Sequence, residues 1–405
     1  MKKRFALLLA AILVMVPLAG TIQAQGEAPV LLIWADETRA GVIEELGATF
    51  EEEYGVTLTV QQMAFGDIRD QLRIAGPAGE GPDVIIGAHD WLGELVLNGL
   101  LSPLDLGDAV ADFSEVAINA FTYDGELYAV PYATENIAFF YNTDLVEIPP
   151  ATWAEVRALS EEIMDSGAAD YGYIRQEGDP YHFFPIQTAF GGYVFGIDAE
   201  GNYDPTDVGI DAPGSIAALQ WVQDMVKDGL IPTGLDGTAA ETLFQDGKAA
   251  MYITGPWNIQ KFLDAGLNFA IAPAIPAGEE GGEPGKPFIG AQGFMISAFS
   301  ANPLLAQAFL TEFVASEEVQ FMLYEKGNRA PARLSALERV EDPYLAALAE
   351  AGSVGLPMPA IPEMSAVWTA WGDAITLAMQ DTSKSPAELF TTAADTIRAT
   401  IAGEE

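Results

Sequence analysis

The residues best suited to do chemistry here are flat aromatics standing beside carboxylates. Trp34 is followed by Asp36, Glu37, Thr38 and Arg39. Asp90 precedes Trp91, and Asp179 is followed by Pro180, Tyr181 and Phe183. Glu135, Trp257 and the pair Trp368 and Trp371 complete the set. These residues fall where predicted strands end, and in open α/β sheets ligands lie outside the carboxyl ends of the strands. Tyr and Trp offer broad amphipathic faces that suit the C–H face of a pyranose ring. Carboxylates accept paired, charge-assisted hydrogen bonds from vicinal hydroxyls. Together these features imply an uncharged polyhydroxylated ligand; an anion would call for Arg, Lys or helix N-termini instead.

Each residue also has a structural reading. Trp34 closes a strand and suits a core. Asp90 suits the cap of the helix that follows it, Trp91 suits packing on that helix's neighbour, and Glu135 suits binding backbone amides. Trp371 suits a core position if Trp368, three residues earlier on one helix, faces the ligand. Trp153 and Trp221 sit within helical periodicity and read as structural.

Other chemistries have little to draw on. His89 and His182 are the two histidines and there is no cysteine, so a zinc site or a His-based triad would rest on those two alone. No phosphate-binding Gly-rich loop, GxSxG or HExxH motif occurs. A glycosidase needs two opposed carboxyl groups, for which Asp90, Glu135 and Asp179 are candidates. No metal or cofactor is implied.

The elements that must hold these residues are legible along the chain. "VLLIW" reads as a buried strand, and Val42, Ile43, Leu46 and Phe50 recur at helical spacing before Gly55. "VTLTV" and "VIIG" are further strands, separated by a helix containing "DQLRIA". Strand, helix, strand, helix, strand implies a parallel sheet with helices on its faces. "ELYAVPYATENIAFFYN" reads as two extended stretches around Pro131–Asn136, and 152–167 as a helix entered through Thr152. Residues 179–195 read as a loop running into an aromatic-rich helix. "FAIAPAIP" and "FIGAQGFMIS" read as strands, and helices dominate after Pro303. No polar linker splits the chain and no fixed-period repeat occurs.

The chain has 405 residues, half of them hydrophobic, with a formal net charge of −41 from 18 basic and 59 acidic residues. "MKKRF", an apolar run and "TIQAQG" read as an export leader over 1–24, cleaved after Ala24. Its loss takes the charge to about −44. Such a surface repels nucleic acid and anionic lipid. The mature chain, lacking cysteine, is expected to have neither disulfides nor a thioether lipid anchor, and its length allows the sizeable core that stability without disulfides needs.

"LLIWADETR", "GPDVIIGAHDWLGELVLNGLL", "GELYAVPYATENIAFFYN", "DPYHFFPIQTAFGGYVF", "LFQDGKAAMYITGPWNI", "KPFIGAQGFMIS" and "MPAIPEMSAVWTAWGDA" stand in one order. In that order the chain resembles the maltose/maltodextrin-binding proteins of ABC importers, within the extracellular solute-binding proteins of family 1. The resemblance implies an α/β, two-lobed periplasmic-binding-protein fold of type II, with a hinge and an interlobe cleft. It implies an N-terminal lobe of 27–133 plus 289–332 and a C-terminal lobe of 137–285 plus 336–405, closing over ligand by hinge motion. Hinges are expected near 133–136, 284–288 and 329–333.

The resemblance further implies that Glu37, Thr38 and Arg39 face the sugar from the first lobe. Asp90 bonds hydroxyls with Trp91 beside it, and Glu135 bonds hydroxyls near the hinge. Asp179, Pro180, Tyr181 and Phe183 come from the second lobe, Trp257 and Trp368 are stacking platforms, and Met358 lines the cleft. His89 sits behind the site rather than on a metal. The expected partners are a maltodextrin ligand and the importer's permease, and the protein is expected to be an exported, non-catalytic monomer in a periplasm or on the outer face of the cell envelope. Trehalose or another neutral oligosaccharide is the alternative ligand. One departure stands out: Gly372 occupies a position where some members carry an Arg, which leaves one end of the ligand site open to question.

Overall fold

The computed structural model describes residues 29–199 and 201–403; the expected leader over 1–24 lies outside them. The chain opens with β1 (Val30–Ala35), α1 (Ala40–Tyr54), β2 (Thr57–Gln62), α2 (Phe65–Ala78), β3 (Val84–Ala88) and α3 (Leu92–Leu97). The apolar face of α1 buries Ile43, Leu46 and Phe50. Phe50 meets Phe309 and Phe313 at ring-centroid distances of 4.9 and 5.1 Å.

β4 (Ala129–Glu135) and β5 (Ala138–Asn142) come next, followed by α4 (Trp153–Ser166), β6 (Tyr171–Ile174) and α5 (Pro180–Ala189). β7 (Phe195–Ile197) and β8 (Tyr203–Val208) form a separate hairpin. α6 (Pro213–Lys227), β9 (Ala249–Thr254), β10 (Phe269–Ile271), β11 (Phe288–Ser297), β12 (Ala330–Pro331) and β13 (Leu356–Pro357) follow, and α7 (Val367–Gln380) and α8 (Pro386–Ala402) close the chain.

Two sheets organise the molecule. The first runs β12-β4-β11-β3-β1-β2, and the second runs β10-β5-β9-β6. β1 pairs in parallel with β2 and β3, as the alternating pattern predicts. β11 enters antiparallel between β3 and β4, so the first sheet is mixed rather than parallel. Pro131 lies inside β4 instead of breaking it. The register with β11 shifts there, between Gln292 and Gly293. A proline has no N–H for the ladder, and a bulge is where a sheet tolerates one.

The chain passes between the sheets three times. β4 ends at Glu135 in the first sheet and β5 begins at Ala138 in the second. It returns between β10 and β11, and leaves again after β12 towards the helix Pro343–Gly352, whose Leu348 and Ala351 pack on the second sheet. Asn136, at the first crossing, donates to Leu348 O at 2.9 Å, tying the first crossing to the third. The result is an α/β fold of two lobes. α7 and α8 pack with α6 around Phe183, Phe184, Trp371 and Phe390, four rings with almost no exposed surface. Trp34 and Trp153 are buried as well. No helix among the described residues is long and apolar enough to cross a membrane.

Candidate functional site

The stretch after β3 explains its own composition. A Cβ on Gly87 would lie 2.1 Å from Cζ3 of Trp91, so glycine lets the indole fold back beneath the strand. Trp91 is buried and packs on Phe65 at 4.6 Å. Its ring is wall rather than platform. Asp90 sits in a 3-10 turn, His89–Trp91, and makes no capping bond. Its carboxylate Oδ2 instead accepts from Trp368 Nε1 at 3.1 Å. Burial pushes its pKa up to about 6, against the pull of Arg69 and the indole N–H.

His89 is fixed at both nitrogens. The Ala291 N–H donates to Nδ1 at 3.1 Å, so Nε2 carries the proton and donates to Met358 O at 3.0 Å. Burial lowers its pKa and keeps the ring neutral. This one side chain fastens the Asp90 turn to β11 and to the segment bearing Met358, whose own side chain is buried.

After β1, Glu37 is exposed and Thr38 half-buried, while Arg39 is buried. Arg39 forms an ion pair with Asp36, donates to Tyr132 Oη, and lies 5.1 Å from the Phe65 ring centroid. Burial opposes ionisation of Asp36, but Arg39, Arg329 and bonds from Thr38 outweigh it and hold the carboxyl below its ordinary range. Arg39 is therefore committed to the protein rather than presented to a ligand.

Glu135 closes β4. Its Oε2 accepts from Arg329 Nε at 2.6 Å and its Oε1 from Gln292 Nε2 at 2.7 Å. The Arg329 guanidinium also lies 5.5 Å from the Trp257 ring centroid and donates to Thr38 Oγ1 at 3.4 Å. Trp257 follows β9 in a second short turn, half-buried. There Gly255 leaves room that a Cβ, 2.2 Å from the indole, would close.

On the second-sheet side the helix begins at Pro180, directly after Asp179, with no loop between. Asp179 is its N-cap, accepting from the His182 N–H at 3.1 Å and from His182 Nδ1 at 3.0 Å. Burial would raise its pKa, but His182 and Arg175 hold it below the ordinary value. Tyr181 is half-buried, 6.3 Å from Phe288 in a stacked arrangement. Its phenol stays neutral because burial, and then Glu135 and Asp179, raise its pKa. Phe183 departs from expectation. It has no exposed surface and packs against Arg175, Trp371 and Phe390. Two residues further along the helix than Tyr181, it points to the core. Trp368 is half-buried at the start of α7, 6.3 Å from Phe288.

The structure thus brings Asp90 to Trp368 directly, and joins Glu135, Trp257 and Thr38 through Arg329. Asp90, Glu135, Asp179 and Arg329 all lie within electrostatic reach of Tyr181. Sequence reasoning missed Arg329, Gln292, His182 and Phe288. The one available signal was a basic residue, Arg329, in a chain with so few. Among the described residues no group of His, Asp and Glu has the geometry to hold a metal. Flat rings from both sides, carboxylates and fixed donors make a site that can hold a hydroxylated ring.

Comparison with known proteins agrees with this fold. The solved structure of a Thermus thermophilus maltotriose binding protein bound with maltotriose matches with a TM-score of 0.83 at 33% identity, covering 92% of this chain and all of that one. The galactooligosaccharide-binding protein of Bacillus subtilis is 34% identical over 84% of this chain and 82% of its own length. The maltodextrin-binding protein MdxE of the same organism is 30% identical over 91% and 90%. The family described as bacterial extracellular solute-binding protein matches residues 45–351. With the two-lobed fold and these matches, the chain belongs to the bacterial extracellular solute-binding proteins.

Proposed function

We propose that this protein is an exported receptor that binds malto-oligosaccharides between its lobes and delivers them to the permease of an ABC importer. The observation that carries the reading is the convergence of half-buried Tyr181, Trp257 and Trp368 with Asp90, whose carboxylate has the Trp368 indole as its side-chain partner. Tyr and Trp faces stack on successive rings. Charge-assisted hydrogen bonds of about 1.5–3 kcal/mol each fix the sugar's orientation. The lobes are 27–133 with 289–332 and 137–285 with 336–405, and closure about the three crossings removes water. Glu37, Thr38, Pro180 and Met358 border the ligand. The receptor acts as a monomer.

Catalysis has less support. A glycosidase needs a pair of carboxyl groups flanking the scissile bond, one to give a proton and one to attack or activate water. Here Glu135 is engaged by Arg329 and Gln292, and Asp179 by His182. Similarity to a galactooligosaccharide-binding protein supports a second reading, in which the same site takes a galacto-oligosaccharide. An intrinsic-fluorescence titration of the mature protein with maltose, maltotriose, trehalose, cellobiose and galactotriose separates the two. Saturation with the α-1,4 glucans alone supports the first reading, saturation with galactotriose alone the second, and no response to any sugar rejects both.

A further inference from the structure

Basic residues are scarce in this chain, 18 against 59 acids. Even so, Arg39, Arg175 and Arg329 are buried, and all three back the candidate site. Burying a charge is costly unless it is paired and hydrogen-bonded. Arg39 is matched by Asp36, and Arg175 donates to the Asp179 carbonyl at 3.1 Å. Arg329 is matched by Glu135 at 2.6 Å, with both side chains only 5% exposed. The same guanidinium lies over Trp257, 5.5 Å from its ring centroid. One cation therefore neutralises an acid at the end of β4 and seats an aromatic platform that follows β9.

We propose that the Arg329–Glu135 pair is the charge selector of the site: each side chain masks the other, so the cleft takes uncharged sugars and rejects carboxylate-bearing ones. This deepens the sugar-receptor reading and rests on it. Glu135 without Arg329 would present a bare carboxylate that repels anions. Arg329 without Glu135 would present a fixed fork of donors matched to a carboxylate. The −41 formal charge of the chain works only at long range, where salt screens it. The pair acts at contact distance.

The test is calorimetric titration of the mature protein with maltotriose and with a malto-oligosaccharide oxidised to the carboxylate at every C6. Glu135→Gln is near-isosteric, and a flip of the Gln292 amide turns its Oε1, a buried acceptor with no partner among the described residues, towards the new N–H₂ while the new Oε1 still accepts from Arg329. The variant should shift the affinity ratio towards the oxidised sugar by about tenfold. Arg329→Met should shift the ratio the other way, and the double variant should return it close to that of the parent. Arg329→Lys keeps the charge and loses the planar seat for Trp257. It should lower both affinities several-fold with the ratio unchanged, and a ratio that moves while the charge is kept also overturns the selector. Ratios that stay constant across Glu135→Gln and Arg329→Met, or across Glu135→Gln and the neutral, hydrogen-bonding Arg329→Gln where Arg329→Met is unfolded, overturn the selector. Failure of the parent protein to bind maltotriose overturns the receptor reading, and the selector with it.

Discussion

Trp368 donates its indole N–H to Asp90 Oδ2 at 3.1 Å, joining α7 to the turn that follows β3. The bond links two residues 278 positions apart, both of them candidate ligand contacts. Trp368→Ala removes the ring and the donor, and should weaken sugar binding at least tenfold, or about 1.4 kcal/mol. Trp368→Phe keeps a stacking face and should lose several-fold less. Calorimetry that finds equal losses in the two variants would assign the contribution to the N–H alone. Trp257→Ala should match Trp368→Ala in size.

Asp90 sets the pH response. Sugar hydroxyls that donate to its carboxylate favour the ionised form, so binding lowers its pKa from about 6 and releases a proton. Affinity for maltotriose should fall by up to about tenfold as pH drops from about 7 to 5, and should stay flat in Asp90→Asn. The ligand-free fold responds in the opposite sense. The folded state holds this proton more tightly than the unfolded chain, so stability falls as pH rises from the ordinary Asp value of 3.8 through about 6. Asp90→Asn should remove that part of the stability profile, as measured by denaturant unfolding at several pH values.

Gly372 is explained by contact rather than by a vacant subsite. A Cβ there would lie 2.7 Å from Gly178 O and 3.4 Å from Pro180 Cγ, so α7 presses on the turn that carries Asp179 and Tyr181. Gly372→Arg should displace that turn and cost about 1–3 kcal/mol by overpacking. Thermal unfolding with a parallel maltotriose titration checks this. A variant of full stability that binds longer glucans more tightly would restore the open-subsite view.

Trp91 is a supporting wall, and its removal should register as stability. Trp91→Ala opens a cavity beneath β3 and should cost about 3–5 kcal/mol in urea unfolding. Gly87→Ala forces a methyl into the indole, 2.1 Å from its ring, and should destabilise while leaving every site side chain in place. A binding loss in Gly87→Ala larger than its stability loss would show that the Asp90 turn moves with Trp91.

Local signals in the sequence carried far. The strand-helix alternation from Val30 to Leu97 follows periodicity, and Thr152 and Gly167 cap their helix as their types predict. The aromatic and acidic residues fall near one another because strand ends do. Long-range pairing was not legible. Nothing in "FIGAQGFMIS" says that it will lie antiparallel between β3 and β4. Pro131 read as a break because the bulge that accommodates it depends on β11. Phe183 and Tyr181 differ by two helix positions, and only the packing of α5 decides which one faces inwards. Asp179 read as a ligand contact, and its cap geometry appears only when the helix start is known. Glu135 read as a free acceptor because Arg329, 194 residues later, gave no pattern to pair with it.

The position of β11 also sets a schedule. It lies beside β3 in the sheet but is synthesised about two hundred residues after it. At roughly 5–20 residues per second, that leaves β3 without this neighbour for at least about ten seconds and β4 for at least about eight. A nascent chain ending before Phe288 cannot complete the first sheet, however stable the finished protein is. The second sheet, whose four strands all precede Phe288, faces no such wait and can pair while the first is still open.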